Sequence, residues 1–392
     1  MFLSISLIIL ISITLFYIFD KLHLPGLLAF LITGIILGPF VFDLISHQIL
    51  DISSELRKIA LVVILIRAGL SLDIKDLKAV GRPAILLSFL PALFEILAIG
   101  LLAPLFFNLT SIEAFILGSV IAAVSPAVIV PRMIQLIEKK KGTKEKIPQL
   151  ILASASVDDI FVIIVFTIFL QVYESNQLEW SQILLLPISL IFGIILGFVI
   201  GVFFVFVFKK LHVRDTIKVL ILFALSFLMI VLEDYLPISG LLGIITLAIT
   251  IFSLYPILAH RLTSKFSKIW VVAEMMLFVL IGAAVDINLF LSIGLITLLF
   301  LLLSLFVRLL GVFISIIKTN FNSKEKLFIG LSFIPKATVQ AAIGAIPLSM
   351  GIPGGKIILA ISVLSIFLTA PLGAVLIDQT SNILLKNKDD SL

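Results

Sequence analysis

The chain has 392 residues, of which 61% are hydrophobic and only 13% charged, a balance that a soluble fold of this size does not sustain. Cysteine is absent, which excludes disulfides, thiolate metal sites and cysteine catalysis. The net charge of +5 has no soluble basic face to sit on, so no nucleic-acid partner and no cofactor are expected.

Apolar runs of roughly 17 residues or more, bounded by charges or by Pro and Gly, predict thirteen transmembrane helices. They lie near 2–19, 25–43, 57–73, 83–106, 113–135, 149–171, 180–208, 217–232, 237–258, 269–285, 288–317, 325–347 and 354–384. The first run lacks a basic leader and is long enough to remain as a spanning helix. A basic loop, 138–146, separates the fifth and sixth spans, and a short cytoplasmic tail, 386–392, follows the last. Residues 1–385 thus form a single transmembrane unit, an all-α polytopic membrane protein. Lys and Arg fall almost entirely in or beside the loops that follow odd-numbered spans; Arg57, Lys58 and Lys356 lie in the other set, and Arg67, Arg308 and Lys336 inside spans. The positive-inside rule then places the N-terminus outside and the C-terminus in the cytoplasm.

The two halves resemble each other at a nearly constant separation of about 210 residues. Gly26-Leu-Leu-Ala matches Gly240-Leu-Leu-Gly, Ile66-Arg-Ala-Gly-Leu-Ser-Leu-Asp73 matches Val279-Leu-Ile-Gly-Ala-Ala-Val-Asp286, and Val124-Ser-Pro126 matches Phe333-Ile-Pro335. Spans 1–6 therefore map onto spans 8–13, with 180–208 as a linker helix. An odd number of spans separates equivalents, so the second six-helix repeat is inverted. Inverted repeats point to a secondary transporter with a midplane site, and away from an enzyme or receptor.

Pro126 and Pro335 occupy matching mid-membrane positions, and each removes a backbone donor and clashes one turn back. Two crossed broken helices are expected, with Ser125 as N-cap and Pro126 at the first helical position. Their half-helix ends would leave partial charges of both signs at the centre.

The centre of the sequence argument is Ser154-Ala-Ser-Val-Asp-Asp-Ile160, which sets Asp158 and Asp159 in the middle of an apolar run. A charge at that depth costs ~2.5–3.5 kcal/mol on insertion scales. The aligned positions in the other repeat, Phe367 and Leu368, are apolar, so this pair is an asymmetric addition to a symmetric frame. Asp158 and Asp159, with Ser125 and Ser154 beside them, are the candidate ion-binding residues; the aspartates would hold Na⁺ or Li⁺. Lys336, next to the second break, can neutralise half-helix carbonyls and pair with one aspartate. Glu95 and Arg308 align across the repeats and are expected to form a structural ion pair. Gly193, Gly197 and Gly201 have the spacing of close helix packing. The histidines, His23, His47, His212 and His260, sit at loops or span ends and offer no metal site. A phosphate-binding G-x-x-x-x-G-K-[ST] loop is absent, which argues against ATP-driven transport.

The stretches Ile64-Leu-Ile-Arg-Ala-Gly-Leu-Ser-Leu-Asp73, Ala122-Ala-Val-Ser-Pro-Ala-Val-Ile-Val-Pro131, Ser156-Val-Asp-Asp159 and Ile334-Pro-Lys-Ala-Thr-Val-Gln-Ala-Ala342 resemble the cation:proton antiporter-2 family. The resemblance is strongest to its NHA-type sodium/proton branch, with bacterial relatives of the NapA type. It implies a homodimer whose dimerisation scaffold is 1–82 and 217–287, and whose ion-translocating core, 83–171 and 288–385, moves as an elevator. By the same resemblance, Asp159 is the main cation ligand, Asp158 pairs with Lys336, Glu95 with Arg308, and main-chain oxygens at the Ser125 break complete the shell. The cytosolic nucleotide-binding domain of some family members has no counterpart here, so regulation by one is not expected. The function so implied is Na⁺ (or Li⁺)/H⁺ antiport in the plasma (inner) membrane, the partners being the cation, protons and lipid. K⁺/H⁺ exchange, Na⁺-coupled organic-anion symport and a non-transporting sensor or scaffold are the alternatives.

Overall fold

A chain in hydrocarbon must satisfy its backbone polar groups internally, which favours helices throughout. The computed structural model describes residues 1–22, 24–71, 81–174, 180–211, 213–233, 235–236 and 238–385, and its regular elements there are all helices. His23, Asp73, His212 and the tail 386–392 lie outside the described residues. Nine stretches among the described residues are long and apolar enough to cross a membrane, and shorter apolar helices occupy Leu27–Leu37, Gly240–Leu254 and Thr338–Ser349. The protein is an all-helical, multi-pass membrane protein.

In chain order the helices are α1 (Phe2–Lys21), α2 (Leu27–Leu37), α3 (His47–Asp51), α4 (Ser53–Ser71), α5 (Arg82–Leu87), α6 (Leu90–Phe107), α7 (Ser111–Ile121), α8 (Pro126–Glu138) and α9 (Ile147–Glu174). They continue with α10 (Trp180–Lys210), α11 (Asp215–Glu233), α12 (Gly240–Leu254), α13 (Pro256–Ala283), α14 (Ile287–Ser315), α15 (Ser323–Ser332), α16 (Thr338–Ile343), α17 (Ile346–Ser349) and α18 (Gly355–Leu384).

Two local differences from the sequence reading have clear causes. The span expected at 83–106 is split into α5 and α6, with Phe89 leaving helical geometry at φ −143°. Pro91, at the second position of α6, removes a donor and crowds the carbonyl one turn back. The span expected from 269 is already helical from Pro256, whose fixed φ suits a helix start. Arg261, Lys265 and Lys268, expected in a loop, therefore ride on the first turns of α13. Asp286, expected at a span end, caps α14 by accepting from the backbone N–H groups of Asn288 and Leu289 at 3.0 and 3.3 Å.

The chain divides into two compact units. The smaller takes residues 58–73 and 163–274. Within it α10 lies along α12, and the three glycines set the approach: a Cβ on Gly193, Gly197 or Gly201 would run into Ser239, Gly243 or the Leu247–Thr250 turn. At Gly197 the obstacle is the carbonyl oxygen of Gly243, which cannot swing aside as a side chain would. Gly197→Leu is therefore expected to destabilise the protein by about 1–3 kcal/mol, read as an earlier melt in detergent, whereas Leu at exposed Phe198 should change little.

The larger unit takes residues 1–57, 74–162 and 275–392. In it α6 packs on α7 and α14, and α15 on α18. One buried apolar cluster joins Leu87, Val124, Met133, Leu150, Phe328, Phe333 and Ile377, drawn from α5, α8, α9, α15, α18 and the segments beside α7 and α15. This cluster fixes the non-helical stretches described next.

Candidate ion-binding site

α7 and α15 begin alike. Thr110 and Glu113 form a capping box at the start of α7, and Asn322 and Glu325 form another at the start of α15. Each reciprocal pair satisfies two orphan backbone donors and fixes where its helix starts. Each helix then stops inside the protein. α7 ends at Ile121, the chain runs non-helically to Ser125, and α8 restarts with Pro126 at its first position. α15 ends at Ser332 and α16 restarts at Thr338, with Pro335 in the non-helical stretch between. The two interruptions meet main chain to main chain, the N–H of Ser125 donating to the carbonyl of Pro335 at 2.8 Å. Ser125 stands at the N-cap as expected, but its hydroxyl makes no capping bond.

Breaking two helices exposes carbonyls at the ends of α7 and α15, and three side chains cover them. Lys336 Nζ and Gln340 Nε2 both donate to Ile121 O, at 2.8 and 3.0 Å, and Gln340 Nε2 also reaches Ala123 O at 2.7 Å. Arg308, on α14, donates to the carbonyl of Ala122 through Nη1 and to that of Phe333 through Nε, the latter at 2.8 Å. Cations at helix C-termini are where the helix dipole favours them. The break in α15 is tied to α18 as well, since Lys336 N–H donates to Thr369 Oγ1 at 3.0 Å.

Five ionisable groups surround this crossing. Glu95, Asp158, Arg308 and Lys336 are fully buried, and Asp159 is 6% exposed. Glu95 Oε2 accepts from Arg308 Nη1 at 2.9 Å and from Lys336 Nζ at 2.8 Å. Asp158 Oδ2 accepts the backbone N–H of Val124 at 2.8 Å and lies 3.4 Å from Arg308 Nη2. The guanidinium of Arg308 thus bridges Glu95 and Asp158. Among the described residues Asp159 has no ion-pair partner, and its Oδ1 is buried without a hydrogen bond. With all five groups ionised, two cations face three carboxylates, and the surplus charge is that of Asp159.

Five of the ten buried side-chain atoms without hydrogen-bond partners among the described residues belong to the aspartates or to residues beside the two interruptions: Asp158 Oδ1, Asp159 Oδ1, Ser125 Oγ, Thr338 Oγ1 and Gln340 Oε1. An orphaned buried polar atom costs about 1–3 kcal/mol, so their concentration at one crossing asks for a ligand. Carboxylate, hydroxyl and amide oxygens form a donor set for a hard cation. Among the described residues no group of three or more carboxylate or imidazole side chains is assembled to hold a metal, so any cation here rests on mixed oxygens.

Comparison with known proteins agrees with this architecture. The family model for "sodium/hydrogen exchanger, transmembrane" matches residues 6–380. The chain belongs to the sodium/hydrogen exchanger family. It is 34% identical over 397 residues to sodium/hydrogen exchanger 9B2 of Homo sapiens, a match covering 94% of this chain and 72% of that protein. It is 33% identical over 375 residues to the Mus musculus 9B2 protein, covering 90% and 67% of the two chains, and 33% identical over 370 residues to exchanger 9B1 of Homo sapiens, covering 90% and 71%. In fold it matches the sodium proton antiporter MjNhaP1 of Methanocaldococcus jannaschii at pH 8, with a TM-score of 0.82 and 22% identity, covering 97% of this chain and 98% of that one.

Within this exchanger fold the structure changes one expected pairing. Lys336 does not pair with Asp158; its ammonium bonds to Glu95, and Arg308 takes Asp158. A guanidinium offers five donors in a planar fork and serves two carboxylates at once, whereas the ammonium of Lys336 is anchored by the Ile121 carbonyl on the side of Glu95. The Glu95–Arg308 contact is present. The hydroxyl of Ser154 donates to Leu150 O and Ile151 O within its own helix, at 2.7 and 3.2 Å, and so does not join the unpartnered oxygens. Gln340 had no assigned role from sequence, although its amide caps one broken end. A polar cavity of about 570 Å³ was likewise not legible: it runs beside α8 and α18, lined among others by Asp20, Gln135, Ser381 and Asn382. Arg132 and Asp378 line it and hold each other bidentately at 3.0 Å.

Proposed function

We propose that this family member exchanges Na⁺ or Li⁺ for protons at the Asp158–Asp159 pair. The observation that carries the reading is the surplus carboxylate of Asp159, buried beside a compensated neighbour. A bare charge in such surroundings is strongly disfavoured, so the group takes up either a proton or a monovalent cation. Both neutralise the site, and the two compete for the same oxygens. A site that is neutral when loaded and charged when empty crosses the membrane barrier only when loaded, which is the condition for antiport. The names of the relatives, which describe sodium/hydrogen exchangers, support this substrate class.

Several finer features belong to the same reading. Thirteen spans are organised as two inverted six-helix repeats with α10 as linker; the matched capping boxes and interruptions of α7 and α15 support that symmetry. Residues 1–82 and 217–287 form a dimerisation scaffold in a homodimer, and 83–171 and 288–385 a core that moves as an elevator. Asp159 is the main ligand, Asp158 the second, Ser125 and Ser154 lie alongside, and Glu95, Arg308 and Lys336 stabilise the crossing electrostatically. The protein works in the plasma (inner) membrane with its N-terminus outside and its C-terminus in the cytoplasm.

The test uses the purified chain in proteoliposomes carrying a pH gradient under clamped voltage. Addition of Na⁺ or Li⁺ is expected to collapse the gradient, with K⁺ giving a much smaller response. A gradient that none of the three cations disturbs would overturn the proposal, and a response to K⁺ alone would replace it with K⁺/H⁺ exchange.

A further inference from the structure

Thr338 and Gln340 lie in the first turn of α16, directly after the second interruption, and both are buried, at 2% and 1% exposure. The orientation of the Gln340 amide is fixed chemically. Its nitrogen faces two carbonyls, Ile121 O and Ala123 O, and turning the amide over would set an oxygen against both. Gln340 Oε1 is therefore held away from the end of α7, and it is left without a partner. Its nitrogen grips Ala123, the residue before Val124, whose N–H holds Asp158. Thr338 Oγ1 is also unpartnered, although a hydroxyl at the first turn of a helix ordinarily finds a backbone partner. Nearby Ser332, Ser362, Ser365 and Thr369 all bond to a carbonyl one turn back. Thr338 departs from that habit at the one place where two helices are interrupted.

We propose that Thr338, together with Gln340, supplies neutral oxygen ligands to the transported cation and thereby sets which monovalent cation the site prefers. The inference rests on the exchange reading above and adds the other half of the shell. Carboxylates from α9 supply the charge; hydroxyl and amide oxygens from α16 supply ligands whose reach suits one ionic radius over another. Number and placement of neutral oxygens are the general means by which a site separates cations of equal charge. Because the two halves come from different helices, the shell closes only while α9 and α16 keep their register across the crossing.

The decisive variant is Thr338→Val, which is nearly isosteric and removes an oxygen that makes no hydrogen bond, so no structural bond is lost. In proteoliposomes the KM for Na⁺ is expected to rise about tenfold while kcat stays within about twofold, and the ratio of Na⁺ to K⁺ response to fall. Thr338→Ser, which keeps the hydroxyl, is expected to restore the KM. An independent readout is melting of the detergent-solubilised protein: without cation the valine variant should melt with wild type, and the upward shift on adding NaCl over choline chloride should shrink. Should the valine variant melt earlier even without cation, Thr338→Ala takes its place. Unchanged KM, cation ratio and Na⁺-induced shift in the variant would overturn the inference while leaving exchange intact. Absence of any cation response in wild type would instead sink the exchange reading itself.

Discussion

Asp159→Asn is expected to reduce Na⁺- and Li⁺-driven proton flux in proteoliposomes to the level of empty vesicles, at least a hundredfold, while the protein still folds. The carboxylate has no ion-pair partner among the described residues, so its neutralisation breaks no salt bridge. Removing an uncompensated buried charge is if anything stabilising. In the absence of cations the variant should therefore melt at or above the wild-type temperature. The wild type should gain stability from Na⁺ by linkage, about 2.7 kcal/mol when the ion is at 100 times its Kd, and the variant should gain almost none. This combination separates a lost site from a lost fold. Flux that survives the substitution, or a variant that melts far below wild type without cations, would count against Asp159 as the exchanging group.

Much of this arrangement is legible in the chain. Acids within an apolar run are costly enough that Asp158-Asp159 stands out, and prolines within spans announce interruptions whose matched spacing implies a meeting. Glu95 and Arg308 emerge as partners because they occupy equivalent places in the two halves. The partner of Lys336 does not emerge, because register along the chain says which level of the membrane a side chain occupies and not which of two carboxylates lies within its reach. The answer depends on the carbonyl of Ile121 anchoring the ammonium, a backbone detail of the break. Gln340 is hidden for the same reason: a glutamine in a span reads as weak polarity until an exposed helix end gives its amide something to cap. Pro91, which splits α5 from α6, lies about two turns inside the expected span, so the interruption was within reach of the proline rule. The Arg132–Asp378 pair joins α8 to α18 across 246 positions, and nothing in local pattern links them.

The other large effect concerns Arg308, and its size follows from comparing what it and Lys336 each hold. Every group that Lys336 Nζ serves has a second donor: Glu95 keeps Arg308, and Ile121 O keeps Gln340. Arg308 is the donor to Phe333 O and to Ala122 O, and the cationic partner of Asp158, so its removal strands two broken-helix carbonyls and leaves one carboxylate with a backbone N–H alone. Breaking a buried pair by deleting one partner costs about 3–5 kcal/mol, a large part of the stability of an ordinary domain. Arg308→Met is thus expected to leave little folded protein after detergent extraction, whereas Lys336→Met should survive with a moderately lowered melting temperature. Arg308→Lys should not rescue, since an ammonium cannot span Glu95, Asp158 and Phe333 O together. The double variant Asp158→Asn/Arg308→Met should recover part of the loss, with a coupling of about 1–3 kcal/mol, because the carboxylate stranded by the first change is neutralised. Equal melting of Arg308→Met and Lys336→Met would mean that the load at the crossing is shared, and that the bridging guanidinium is not what holds the interrupted helices together.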